Sequence, residues 1–166
     1  MTLPFKNQSD PKDKVIAFDW DDTLFIRSLG YNVDAFKAIT KLANEGHKIC
    51  IVTNRGINAN DEMSKMEIAM GFMAARIDPI PLEVFAKSDV KTDKFPYQIK
   101  LVVDNEDPHD PKSGYLPEGS NPIVIRVGDN FTYTSTDAFL AAVITGLNVQ
   151  PNDRGGKQPA PSPTAF

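Results

Sequence analysis

Three carboxylates fall within four residues, Asp19, Asp21 and Asp22, directly after the apolar run Val15-Ile16-Ala17-Phe18. Like charges held this close repel one another, so the cluster persists most easily where a cation neutralises it, and oxygen-only ligands favour Mg²⁺. A second acid group, Asp104 with Asp107, follows the run Ile99-Lys100-Leu101-Val102-Val103. Between the two, Lys48-Ile49-Cys50-Ile51-Val52 ends on Thr53 and Asn54, and Leu82-Glu83-Val84-Phe85-Ala86 is followed by Lys87, Lys91 and Lys94. Two acid groups, a hydroxyl and a lysine on one edge would make a site for Mg²⁺ and a phosphoryl group. The competing reading of each is a solvated polar turn at the end of a strand.

Whether these residues share an edge depends on the elements that carry them. Short apolar runs bounded by turn signals predict strands at about 14–19, 48–53, 82–86, 99–103 and 123–127. Val33, Phe36, Ile39, Leu42 and Ala43 recur at helical spacing after a candidate Asn32 cap and before Gly46, which predicts a helix over 33–45. A second helix carries Met63, Met66, Met70, Met73 and Ile77 on one stripe, read as core, with Asn60 as its cap. Ser88 or Asp89 would cap a short helix that Pro96 limits, and Thr136 a last helix with Phe139, Leu140, Val143 and Ile144. The prolines at 108, 111, 117 and 122 leave a long loop over 107–122. Alternation of this kind implies a Rossmann-like α/β domain, a sheet of about five mainly parallel strands with helices on both faces. Ligands of such sheets gather at the carboxyl ends of the strands, where every candidate residue falls.

Composition narrows the partners. The 166 residues carry a net charge of −4, which argues against a general nucleic-acid binder and leaves nucleic acid open only as a substrate. One cysteine, Cys50, forms no internal disulfide and suits a reducing, cytoplasmic location. No run approaches the length of a membrane span, and residues 1–13 read as a loose arm without a signal-peptide core. Beyond Leu147, the proline-rich, polar residues 148–166 read as a disordered tail, which leaves 14–147 as the domain. His47 and His109 lack metal-ligand spacing.

Asp19-Trp20-Asp21-Asp22-Thr23 at the end of an apolar strand, Val52-Thr53 and Val103-Asp104 together resemble, in order and spacing, the motifs of haloacid dehalogenase superfamily phosphohydrolases. That resemblance implies an aspartyl-phosphate mechanism with Asp19 as nucleophile and Asp21 as general acid and base. It further implies that Thr53 and Asn54 hold a phosphoryl oxygen, that a lysine, Lys91 ahead of Lys94, neutralises charge, and that Asp19, Asp21, Asp104 and Asp107 hold the Mg²⁺ cofactor. The family usually has Gly where Asp22 stands, and Asn105 replaces a second acid after Asp104. The short segments after Leu24 and Thr53 leave no room for a cap domain. An open mouth is similar to that of polynucleotide kinase 3′-phosphatase domains, so the substrate is expected among polynucleotide 3′-phosphates, nucleotides or other exposed phosphates, with oligomerisation left open. The other readings are a phosphate-accepting receiver domain and a catalytically silent phosphate-binding module.

Overall fold

The computed structural model describes residues 12–55, 62–127 and 135–148. The expected arm, the tail beyond Asn148 and the Asn60 cap therefore lie outside the described residues, save Lys12 and Asp13. Ten elements follow one another: β1 (Asp13–Asp19), β2 (Phe25–Ile26), β3 (Gly30–Tyr31), α1 (Val33–Asn44), β4 (Ile49–Thr53), α2 (Glu62–Ala74), β5 (Glu83–Ala86), β6 (Tyr97–Asp104), β7 (Ile123–Arg126) and α3 (Thr136–Leu147). Five strands form one all-parallel sheet in the order β5-β4-β1-β6-β7, and β2 and β3 form a small antiparallel hairpin.

Counting only the strands of the main sheet, this order is 3-2-1-4-5, the doubly wound arrangement in which the chain reverses direction beside its first strand. A receiver domain has the order 2-1-3-4-5, so the topology tells against that reading. The reversal puts the crevice between the carboxyl ends of β1 and β6, where Asp19 and Asp104 stand.

Successive side chains of the central strands alternate between the two faces of the sheet, both of which are covered. Ile16 and Phe18 of β1, with Ile49, Ile51, Leu101 and Val103, join the apolar sides of all three helices in one core. Asn32 caps α1 as expected, accepting from the Ala35 amide at 3.2 Å, and Gly46, at φ 95°, takes the left-handed turn after the helix. At α3 the cap is Ser135, one residue before the expected Thr136; its hydroxyl accepts from Ala138 N at 3.1 Å.

The opposite face corrects an expectation. Val15, Ala17, Cys50, Val52 and Val102 are covered there by Val90, Phe95, Tyr115 and Leu116, none of which lies in an α-helix. Both crossovers on this side, 87–96 and 105–122, are short or proline-interrupted, so they cover the sheet as irregular chain. In place of a capped helix after β5 there is one 3₁₀ turn over Lys87–Asp89, with no side-chain cap.

Of the expected stripe, Ile77 packs against the core but three of its methionines do not. Met66, Met70 and Met73 are exposed, and α2 instead buries Ser64, Ile68 and Phe72. Its close approach to α1 is set by Gly71, where a Cβ would stand 2.1 Å from Cζ of Phe36. Elsewhere in a helix Gly→Ala stabilises by up to about 1 kcal/mol. Here Gly71→Ala is expected to destabilise by about 1–3 kcal/mol, because Phe36 is fully buried against Trp20 and Phe72 and cannot retreat. The midpoint of urea unfolding measures it, and a stabilised variant would show that the α1–α2 seam yields.

Among the described residues no helix is long and apolar enough to cross a membrane.

Candidate active site

Asp19 is the last residue of the central strand β1, and Asp104 is the last of its neighbour β6; both are buried. Parallel pairing carries Phe18 alongside Val103, which brings the two carboxylates together at one edge. One oxygen of each faces an ammonium: Lys87 Nζ lies 2.8 Å from Asp19 Oδ1 and 3.3 Å from Asp104 Oδ2. Lys87 opens the 3₁₀ turn directly after β5, so its stem spans the end of β4 to reach β1 and β6. Only 5% of the residue is exposed, a degree of burial that a lysine reaches only when it is paired.

The remaining oxygens are equally committed. Thr23 Oγ1 donates to Asp19 Oδ2 at 3.0 Å. Tyr115 Oη donates to Asp104 Oδ2 at 2.6 Å, and the Glu106 amide to Asp104 Oδ1 at 2.9 Å. With its side-chain nitrogen turned to this side, Asn105 donates to Asp104 Oδ1 at 3.2 Å, Asp19 Oδ2 at 2.9 Å and the main-chain oxygen of Asp21 at 3.1 Å. The two acids are thus bridged twice, by Lys87 on one pair of oxygens and by the Asn105 amide on the other.

This crowding sets the protonation. Burial, reinforced by Asp104, pushes the Asp19 carboxyl up to about 7 against the opposing pull of Lys87. For Lys87, burial favours the neutral amine, but Asp19 and Asp104 outweigh it and hold the ammonium above its usual range. Burial, then Asp104, pushes the Tyr115 phenol far up, so it stays a donor. The Tyr115 ring lies 4.8 Å from Lys87 Nζ, a cation–π contact that offsets part of the desolvation cost.

Asp21 lies beyond the strand that carries Asp19. Strand β1 stops at Asp19, and the next residues make a tight turn in which Trp20 O accepts from the amides of Thr23, Leu24 and Phe25. Asp21 is half-buried within that turn, with its carbonyl toward Asn105. Asp22, where Gly was expected, takes a φ of 62°. Its strain is offset by Arg27, whose guanidinium donates to it at 2.6 and 3.0 Å and whose amide does so at 3.1 Å. Those hydrogen bonds hold the Asp22 carboxyl below its usual range.

The other sequence-predicted residues divide. Thr53 is buried at the end of β4, beside β1, and its hydroxyl accepts from Arg55 N at 3.1 Å. Asn54 is exposed in the bend that follows. Lys91 and Lys94 are exposed in turns beyond the 3₁₀ segment, so the lysine brought to the acids is Lys87. Asp107 is exposed, and its carboxylate accepts from the amide of His109 in its own turn, which leaves it outside the cluster. The signal that could have found Lys87 is its place directly after the apolar run that forms β5. Asn105 and Tyr115 carried no comparable signal, since one follows a strand end and the other lies in a loop.

The donor set can be tested for Mg²⁺. Among the described residues no three His, Cys, Asp or Glu side chains are grouped to hold a metal ion. Here the oxygens are of mixed type, from the carboxylates of Asp19 and Asp104 and the carbonyl of Asp21, and all stand 2.9 to 3.2 Å from one terminal atom of Asn105. Hard oxygens of this type, two from carboxylates and one from a carbonyl, are the donors that Mg²⁺ prefers.

No protein-family model and no curated protein matches the chain.

Proposed function

We propose that the protein is a Mg²⁺-dependent phosphomonoester hydrolase that works through an aspartyl phosphate on Asp19, as an uncapped phosphohydrolase of the haloacid dehalogenase type. One observation carries the reading: two buried carboxylates at the topological switch point share a single buried ammonium, with a third oxygen, that of Asp21, alongside. A fold gains no stability from collecting like charges, whereas a phosphoryl site uses all of them.

In this reading Asp19 attacks phosphorus as the ester P–O bond breaks, and Asp21 protonates the departing oxygen. Water then attacks the acyl phosphate, giving its proton to Asp21, which returns the Asp19 carboxylate and releases inorganic phosphate. Lys87 and Thr53 sit at the same edge to neutralise and hold phosphoryl oxygens. Mg²⁺, held by Asp19, Asp104 and the Asp21 carbonyl, would supply charge neutralisation between the anionic nucleophile and the anionic substrate.

The open mouth is supported by the segment after Leu24, which holds only the two-residue strands β2 and β3. Substrates with large or exposed phosphates, polynucleotide 3′-phosphates and nucleotides among them, suit such a mouth. Phosphate release is expected from a panel of 3′-phosphorylated oligonucleotides, nucleoside monophosphates, sugar phosphates and phosphopeptides, and it should vanish on chelation. Turnover unchanged by a chelator would remove the metal from the mechanism, and no release from any ester would favour a silent phosphate-binding module.

A further inference from the structure

Two aspartates of the 105–122 crossover, Asp107 and Asp110, turn their carboxylates to backbone amides of their own loop. Asp107 accepts from the His109 amide at 2.9 Å, and Asp110 accepts from those of Lys112 at 2.8 Å and Ser113 at 3.1 Å. Side-chain acceptors placed two or three residues back fix local turns of this kind. The main chain closes over the same span, with Pro108 O accepting from Tyr115 N at 3.1 Å and Asp110 O from Gly114 N at 2.7 Å. The closure is so tight that a Cβ on Gly114 would stand 2.4 Å from Asp110 O and 2.6 Å from Pro108 O. Residues 107–115 are therefore folded on themselves, and what they bring to the sheet is the buried side chain of Tyr115. Its phenol donates to Asp104 Oδ2 at 2.6 Å, and its ring lies 4.8 Å from Lys87 Nζ.

We infer that Tyr115 is a positioning residue of the site and that the loop over 107–115 is built to deliver it: the phenol pins Asp104 by Oδ2, which keeps Oδ1 turned to the cation. This rests on the Mg²⁺ reading above and adds to it a residue that acts through a ligand without touching the ion. The distances favour the phenol as the group that sets the Asp104 carboxylate. Two donors meet on Oδ2, Tyr115 Oη at 2.6 Å and Lys87 Nζ at 3.3 Å, and the ammonium lies nearer to Asp19, at 2.8 Å. When Lys87 turns to a phosphoryl oxygen, Tyr115 is the donor that stays on Oδ2. On Oδ1 the Glu106 amide, at 2.9 Å, belongs to the turn that Asp104 itself begins, so it does not tie the carboxylate to a second element. Partners that orient a ligating carboxylate contribute about 10- to 100-fold in metal affinity or activity. Asp107 and Asp110 then serve the site at a distance, by holding the loop that carries the phenol.

The test is calorimetric titration of the full chain with MgCl₂, with a thermal melt in chelator to show that each variant is folded. Tyr115→Phe keeps the ring beside Lys87 and removes only the hydroxyl, and it should weaken Mg²⁺ binding about tenfold. In turnover, the Mg²⁺ concentration at half-maximal rate should rise by the same factor, with KM for the ester within about twofold of wild type. Asp110→Ala, which leaves the Lys112 and Ser113 amides without their acceptor, should weaken Mg²⁺ binding by a similar factor. Asp110→Asn keeps an accepting oxygen and should bind Mg²⁺ as wild type does. Tyr115→Phe combined with Asp110→Ala should be no weaker than Tyr115→Phe alone, because both changes act through one hydrogen bond. Wild-type affinity in Tyr115→Phe would overturn the positioning role, and so would a Tyr115→Phe protein that does not fold, since the hydroxyl would then be structural. Wild-type affinity in Asp110→Ala, or an Asp110→Asn as weak as Asp110→Ala, would overturn the role of the loop. Affinity is read without turnover, so an inactive protein that shows this pattern would lose the hydrolysis reading and keep this one. A Mg²⁺-dependent hydrolase in which Tyr115→Phe matches wild type would do the reverse, and a wild-type protein that binds no Mg²⁺ would overturn both.

Discussion

Asp19→Asn is expected to reduce phosphate release by about four orders of magnitude or more, while the protein melts at the same temperature as wild type or higher. The two halves of this result have one cause. Asp19 is buried beside Asp104 and shares one ammonium with it, so its charge is costly to the fold and useful only to a reaction. The amide keeps the volume and removes the charge. Its neighbours can follow: the oxygen of the new amide can still accept from Lys87, and the Thr23 hydroxyl can turn from donor to acceptor. Lys87 keeps Asp104 as its partner. Single-turnover phosphate release and a thermal melt measure the two quantities on the same sample. Retained turnover would exclude Asp19 as the nucleophile, and a collapse in melting temperature would mean that its charge is structural.

How far the sequence reveals this site depends on what kind of signal each residue carries. The strand ends were legible because a buried parallel strand is an unbroken apolar run, and Asp19, Thr53 and Asp104 each interrupt one. Helix α1 was legible from its cap and its periodicity, which the structure reproduces. The lysine was not fixed, because choosing Lys91 assumed a helix after β5 where the chain makes a single 3₁₀ turn. Lys91 and Lys94 are exposed in the turns that follow, while the residue directly at the strand end enters the site. The orientation of α2 was misread for a related reason. Methionine is apolar enough to suggest a buried stripe, but the face that meets the sheet is chosen by the Gly71–Phe36 approach and by Ile68 and Phe72. Tyr115 belongs to a third class, a contact made by a loop whose path rests on Pro108 O accepting from the Tyr115 amide and on Asp110 O accepting from that of Gly114. No periodicity announces such contacts.

Replacing the ammonium tests the site from the other side, since Lys87→Met should damage both folding and turnover. The change removes a charge and leaves the two acids of β1 and β6 buried without a counterion. Breaking a buried pair in this way typically costs about 3–5 kcal/mol, because the surviving charges keep their desolvation penalty. The sign with pH follows. In wild type the ammonium is held above its usual 10.5, so its contribution is complete below that pH and is lost as pH rises through the higher folded value. In Lys87→Met the Asp19 carboxyl, already pushed up to about 7, should resist ionisation still more. The deficit should therefore be smallest at acid pH, where Asp19 is protonated in either state, and should grow as pH rises past the ordinary carboxylate range. Urea midpoints across pH measure this. Turnover should fall about 10²- to 10³-fold beyond any loss of folded protein, as a charge aimed at the phosphoryl group disappears. Adding Asp104→Asn separates the effects: the double variant should recover part of the stability, because one of the two unpaired charges is gone, and none of the activity, because a cation ligand is gone as well. A Lys87→Met protein as stable as wild type at neutral pH would mean that the ammonium offsets no buried charge, and the site would then lack the charge that a phosphoryl reaction requires.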